Sequence, residues 1–483
     1  MTRWSSPFLF IAYGIIHLFL SKLFFAVMHW DTLFSTKRIG RDKEEEGPRS
    51  GFQRDFDRLI FSSAFRRLQD KTQVFPLPGS TFVHTRLTHS LEVASVGRSL
   101  GSMVGRKISE LEELSYSDAR EFYRYELANV IAAGCLAHDV GNPAFGHSGE
   151  KAISAYFIDN CDKKIDGQLM RSFFSDEEWA DVSNFEGNAN AARILTHTFK
   201  GRLTGGLGLT YTTIASVLKY PCHSQAIDKR FKHRKKYGFF RAEQSAIETI
   251  AQSLGMLPDT QPGCFLRHPF VYLVEAADDI CYRVIDMEDA HRLGIIGHAR
   301  VTTLLIDIIE AVEPGGRASA LKTYDKIGDI NEKISYLRAK VINLLTNQAA
   351  NVFWDNRQAI LAGTFNDTLL DNIESRTNAF KELMSVSAHK IYNHDTVLEV
   401  EIAGYNVMSA LLGLVVPALL KQQPDHKDEK VLKLFPSQFT EFQQTSSPYH
   451  KVLNAFDFIS GMTDLYATEM YRKLKGVEIP RHQ

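Results

Sequence analysis

Apolar residues return at helical spacing in one segment after another. Phe56, Ile60, Ala64 and Leu68 recur every four positions and predict a helix over 54–69, with Gln69 at its end. A second helix is expected through Val93, Val96, Leu100 and Val104, capped by Thr88 or Ser90, with His89 in its first turn and Arg86 just ahead of it. Residues 123–137 read as a largely apolar, buried helix. Phe270, Leu273, Val274, Ala277, Cys281 and Val284 give the stripe of another. Helical patterning continues over 301–312, 327–345, 379–390 and 397–420. The last of these reads as too short and too polar at its start to span a membrane. A polar excursion is expected over 159–183, a polar connector over 421–449, and a final helix opening at Asp457.

The first 28 residues break this pattern. Residues 7–28 are apolar over a length sufficient to cross a bilayer, which needs about 20 residues, but His17, Ser21 and Lys22 interrupt the run. It reads as a membrane anchor, as an amphipathic or buried helix, or as upstream sequence ahead of a true start at Met28. The third reading is preferred, because soluble patterning begins abruptly after Met28. The expected division is a leader over 1–27, a catalytic unit over 28–300, and a C-terminal helical region over 301–483 that completes the fold.

Charge narrows the function classes. With 56 basic and 57 acidic residues the net charge is −1, so no global field draws the chain to nucleic acid or to a membrane. Five cysteines without a C-x-x-C pair point to free thiols in a reducing compartment, the cytoplasm. The basic run 229–236 offers phosphate or single-stranded nucleic acid a site, although a solvated loop is the preferred reading.

The candidate chemistry centres on 136–150, LAHDVGNPAFGHSGE. The buried helix delivers His138 and Asp139 at its C-terminal end, where a charged pair must find a partner or a metal. An imidazole and a carboxylate suit Mg, Mn, Fe, Co or Ni better than a thiolate zinc site does. His147 and Glu150, three apart, can share a helix face as an acid/base pair, imidazole being the side chain that changes charge near neutral pH. Asp278, Tyr282 and Asp286 form a ridge on the 270–286 helix; facing solvent and facing inward are equally open. If the ridge faces inward, His89, His138, Asp139 and Asp278 together supply two nitrogens and two oxygens.

That ordered set resembles the H…HD…D signature of the HD-superfamily metal-dependent phosphohydrolases. The segments DRLIFSSAFRRLQDKTQVFP, HTRLTHSLEV, AHDVGNPAFGHSGE, NFEGNANAARIL, EAADDICY and DFISGMTDLYA are similar, in order, to those of deoxyguanosine triphosphate triphosphohydrolases. The resemblance implies an all-α HD-domain fold with additional C-terminal helices. It implies hydrolysis of dGTP, or of a broader range of dNTPs, to the nucleoside and triphosphate. His89, His138, Asp139 and Asp278 match metal ligands, for Mg2+ or Mn2+ with Co2+, Ni2+ or Fe2+ as alternatives. His147 and Glu150 match the catalytic pair at the α-phosphate. Gln69, Tyr282 and Asp286 match sugar contacts; Arg86, Lys219 and Tyr220 resemble triphosphate contacts. A homo-oligomer, typically hexameric, is implied, with single-stranded DNA as an effector. Membrane contact is not expected unless residues 7–28 form a true anchor.

Overall fold

The computed structural model describes residues 27–41, 47–75, 83–375, 377–441 and 447–478. The apolar run over 7–28 therefore lies outside the described residues, apart from its last two positions. Of these, Met28 is buried and its N–H donates to Leu361 O at 2.9 Å. The architecture is all-α: 66% of the chain is helical, and the described strands are a two-residue pair, Lys164–Ile165 against Gln168–Leu169.

Five helices build the site: α1 (Arg86–Ser109), α2 (Leu127–Ala137), α3 (Gly146–Asp159), α4 (Gly187–Thr196) and α5 (Pro269–Arg292). Thr85 caps α1 in a reciprocal box with Thr88, one turn earlier than expected. Gly97, Gly101 and Gly105 form a one-sided strip on α1 that admits α2 closely. A Cβ at Gly105 would lie 2.1 Å from Tyr123 O, and one at Gly101 2.8 Å from Ala128 Cα. Apolar side chains fill the rest of that interface, and α5 packs across it.

The helix expected over 54–69 is broken. It divides into Gly51–Ile60, Ser63–Arg66 and a 3-10 turn Arg67–Asp70, because the Ser62 hydroxyl accepts from Phe65 N and starts a new cap. Phe61 at the break is 70% exposed. Asp457 does not open the last helix either. It lies inside Pro448–Ser460, Gly461 follows, and a further helix runs from Asp464 to Leu474.

The buried apolar residues form two cores, and they do not part at residue 300. The first gathers 28–140, most of 191–218 and 247–397; the second gathers 144–189, parts of 199–264 and 407–467. The chain first crosses between them from Val140 to Ala144, inside the segment that carries the candidate chemistry. The 26-residue helix α6 (Asp395–Leu420) is long and apolar enough to cross a membrane, contrary to the expectation from its sequence, and half of its most apolar window is buried. Here Val407, Met408, Leu411, Leu412, Val415 and Val416 pack into the second core.

Candidate active site

His138 is the C-cap of α2. Its Nδ1 donates to Cys135 O at 2.6 Å, which fixes the tautomer and turns the Nε2 lone pair inward. That Nε2 is buried and has no hydrogen-bond partner. His89, His138 and Asp139 bring one donor atom each within 4.8 Å of one another. Asp278 joins them from α5: its Oδ1 lies 3.0 Å from His89 Nε2 and 3.5 Å from His138 Nε2. The ridge therefore faces inward. An orphaned, lone-pair-bearing imidazole nitrogen among three further N and O donors fits a divalent cation, and these four residues would hold it.

The charges around this corner are tuned by neighbours. Burial pushes the Asp139 carboxyl up, but the Arg86 guanidinium, 2.8 Å from Oδ2, and the two histidines hold it below the ordinary range. Asp278 is likewise lowered, burial being outweighed by His138 and His89. Both are thus anionic at neutral pH, the state a metal ligand needs.

Val140 to Gly146 forms the turn between the cores. Gly141 is required there: a Cβ would sit 2.1 Å from Ala191 N and Gly187 O, so only glycine lets α4 close on the turn. Phe145 occupies the left-handed region at φ 61°, a costly conformation for a bulky side chain. It is held by Asp464, whose Oδ1 accepts from Phe145 N at 2.9 Å while Oδ2 accepts from Thr72 N and Oγ1. Buried Lys71 donates to Asn142 O and Ser460 O.

This turn delivers α3 with His147 facing out and Glu150 facing in. Glu150 Oε2 lies 2.7 Å from His147 Nδ1, and Oε1 accepts from Gly187 N at 2.7 Å. Burial raises the Glu150 carboxyl, but the His147 bond and charge, Lys236 and the Gly187 N–H together outweigh it and lower it. The His147 side chain is 74% exposed, against 9% for Glu150.

Two adjoining chambers open here, of about 720 and 480 Å3. Arg86, His147, Glu150, Lys236 and Tyr282 belong to the wall of both. The smaller chamber holds the metal corner (His138, Asp139 and Asp278) together with Lys219 and Tyr220. Its wall carries six carboxylates (Asp139, Glu150, Glu186, Glu275, Asp278 and Asp279) against four Lys and Arg side chains (Arg86, Lys219, Lys235 and Lys236). The larger chamber is lined by Val74, Phe145, Tyr282, Tyr392, Val397 and Glu401 among others. Asp286 sits just behind its wall, where Tyr392 O–H donates to Oδ2 at 2.7 Å and burial pushes the carboxyl up to about 8. The Tyr282 and Tyr392 rings stack at 5.9 Å.

Of the residues singled out from sequence, Gln69 alone stands apart. It is exposed on the 3-10 turn, and Gln73, four residues on, lines both chambers instead. The broken helix explains the displacement. Sequence reasoning did not reach Gln73, Glu186, Tyr392 or Glu401. The basic run is mixed: Lys229, Arg230, Phe231 and Lys235 are exposed, as in a solvated loop, whereas Lys232 pairs with Asp371, Lys236 pairs with Glu186 and Arg234 is buried.

The HD domain family model matches residues 86–204. A Synechocystis sp. protein named deoxyguanosinetriphosphate triphosphohydrolase-like is 38% identical over 461 residues, covering 94% of this chain and all of the relative. A like-named Pseudomonas aeruginosa protein is 38% identical over 463 residues with the same coverage. A Yersinia enterocolitica deoxyguanosinetriphosphate triphosphohydrolase is 30% identical over 489 residues, covering 88% of this chain and 94% of the relative. An all-α scaffold, an H…HD…D set folded into one corner, and relatives matched along nearly their whole length place this chain in the dGTP triphosphohydrolase-like family of HD-domain hydrolases.

Proposed function

We propose that the protein hydrolyses dGTP to deoxyguanosine and intact triphosphate. The observation that carries this reading is the single wall shared by the two chambers. A polar chamber beside the metal corner suits a triphosphate, and an aromatic-lined chamber suits a nucleoside. The α-phosphate then falls between them, against Arg86 and His147. A divalent cation held by His89, His138, Asp139 and Asp278 would supply Lewis acidity at that phosphate and activate water. It also answers the charge problem, since six carboxylates around four cationic side chains repel a polyanion.

The chain's own residues position and move protons. Arg86 and Lys219 hold phosphate oxygens in line. Glu150 fixes the His147 ring through Nδ1, leaving Nε2 to protonate the 5′-oxygen as the Pα–O5′ bond breaks; the water oxygen bonds to phosphorus and sheds a proton to solvent, from which His147 is reprotonated. On this reading the Tyr282 ring would crowd a 2′-hydroxyl, and the Tyr392 hydroxyl, held from behind by Asp286, would meet the 3′-hydroxyl. On the wall of the larger chamber Glu401 offers a carboxylate, the acceptor pair that matches the adjacent N–H donors of guanine. The pairing of the basic run with Asp228, Asp371 and Glu186 argues against a regulator that only binds single strands.

The test is product chromatography with each of four dNTPs and Mg2+ or Mn2+. Triphosphate from dGTP first is expected. Pyrophosphate or orthophosphate as the primary product would refute the reading, and equal rates with all four would replace dGTP by dNTPs in general.

A further inference from the structure

Phe145 holds a backbone conformation that glycine would adopt more easily. At φ 61° and ψ 19° it lies in the left-handed region, directly ahead of α3. That region is costly for a phenylalanine and open to a glycine. The turn alone therefore gives no reason for a large ring at this position.

The surroundings of the ring give one. It packs on α6 at Gly404, where a Cβ would lie 2.4 Å from Phe145 Cγ and 2.5 Å from Phe145 Cβ. Gly404 is buried and follows Glu401 by three residues on α6. Ser148 Oγ donates to Glu401 O at 2.6 Å, a second tie between the start of α3 and the same turn of α6. Phe145 also lines the larger chamber, beside Val397, Val400 and Glu401. The ring is thus wedged between the turn that delivers His147 and the helix that closes the nucleoside end.

Its backbone is clamped from the far end of the chain. Asp464 is buried and opens the last described helix. Its Oδ1 accepts from Phe145 N at 2.9 Å; its Oδ2 accepts from Thr72 N at 2.9 Å and from Thr72 Oγ1 at 2.5 Å. Thr72 bridges to Thr85, the cap of α1 just ahead of Arg86, and precedes Gln73 of the shared wall. One carboxylate therefore fixes Phe145 against the segments that carry Gln73 and Arg86.

We propose that the Phe145 ring is a specificity-determining wall for the base of the substrate, and that Asp464 is the positioning residue that holds it there. The proposal rests on the larger chamber being the nucleoside end. An aromatic face stacks on any base, and on a purine over the larger area. Asp464 also sets where α3 begins, and His147 is the second residue of that helix. The two residues should therefore fail in different ways.

The full chain is compared with Phe145→Gly, Asp464→Asn and Asp464→Ala in steady-state hydrolysis of each dNTP. Without turnover, the same proteins are titrated calorimetrically with each of four deoxynucleosides and with inorganic triphosphate. Phe145→Gly removes the ring and eases the backbone, so the fold should hold. It is expected to raise KM for dGTP about tenfold or more with a smaller change in kcat, and to bring the four dNTPs closer together. Deoxyguanosine should bind it more weakly, and triphosphate as in wild type. Asp464→Asn keeps one acceptor oxygen and loses the other, so kcat should fall and KM rise together, less than in Asp464→Ala. If Asp464→Ala does not fold, Asp464→Asn decides. Wild-type KM and base choice in Phe145→Gly would overturn the wall, and wild-type kcat and KM in Asp464→Asn would overturn the positioning role. Failure of the reaction itself shows separately, as products without triphosphate or as no turnover. The titrations then decide: weaker deoxynucleoside binding in both Phe145→Gly and Asp464→Asn is expected, and unchanged binding in them, or none in wild type, would overturn the proposal.

Discussion

The two corners of the candidate active site are built in opposite ways. His89 and Asp278 stand on helices of the first core, Asp139 is buried in the turn that follows α2, and His138 has one ring nitrogen spent on a backbone carbonyl. His147 stands on the second core with three quarters of its side chain open, steered only by Glu150. The first corner is arranged to hold, with its geometry fixed and its acids kept ionised. The second is arranged to react, with an imidazole that can meet a substrate and exchange a proton. The chain crosses between the cores at 140–144, so the spacing of the two corners rests on a turn that tolerates no side chain at position 141.

If the corners divide labour in this way, their variants should differ in kind. Asp278→Ala is expected to have the largest effect, losing bound metal and at least ~10^4 in turnover together, read by metal analysis and dNTP hydrolysis. His147→Ala should lose ~10^2–10^4 in kcat while metal content stays at the wild-type level. Gly141→Ala attacks the joint itself: with a backbone clash at 2.1 Å, folded protein should be destabilised by ~3 kcal/mol or more in denaturant titrations, and wild-type stability would show that the turn is not the constraint. Glu401→Gln should change base choice, lowering kcat/KM for dGTP about tenfold relative to dATP.

The last effect concerns pH. Asp286, ordinarily titrating near 3.8, is pushed up to about 8 by burial, against the bond from Tyr392. Between those values the folded chain holds a proton that the unfolded chain has released. Its contribution is complete below the lower value and fades as pH rises through the upper one, by at most ~1.4 kcal/mol per pH unit. Asp286→Asn cannot ionise, so its stability should gain on wild type from pH 4 to 8; parallel curves would place the carboxyl outside the buried wall.

Much of the holding corner was legible in the sequence, because its cause is local. A buried apolar helix ending in His138-Asp139 states its own charge problem, whereas the direction of the Asp278 ridge stayed open, because the apolar stripe beside it fits either orientation. The nucleoside wall was not legible. Tyr392, Val397 and Glu401 reach the larger chamber only because α6 packs against α3, a contact between residues some 250 positions apart, as in the Ser148 hydroxyl bond to Glu401 O. Gln69 was matched to a sugar contact by resemblance alone, and the break that Ser62 introduces leaves it exposed while Gln73 lines both chambers. The strip of glycines at 97, 101 and 105 was visible and its meaning was not, since a close approach needs the partner helix to be known.

The division between holding and reacting is tested most directly by measuring metal stoichiometry and single-turnover hydrolysis side by side in Asp278→Ala and His147→Ala. The account predicts that the first variant loses the metal and the reaction, and that the second keeps a full complement of metal with bound, unreacted dGTP. Equal metal loss in both variants, or full metal retention in Asp278→Ala, would contradict it.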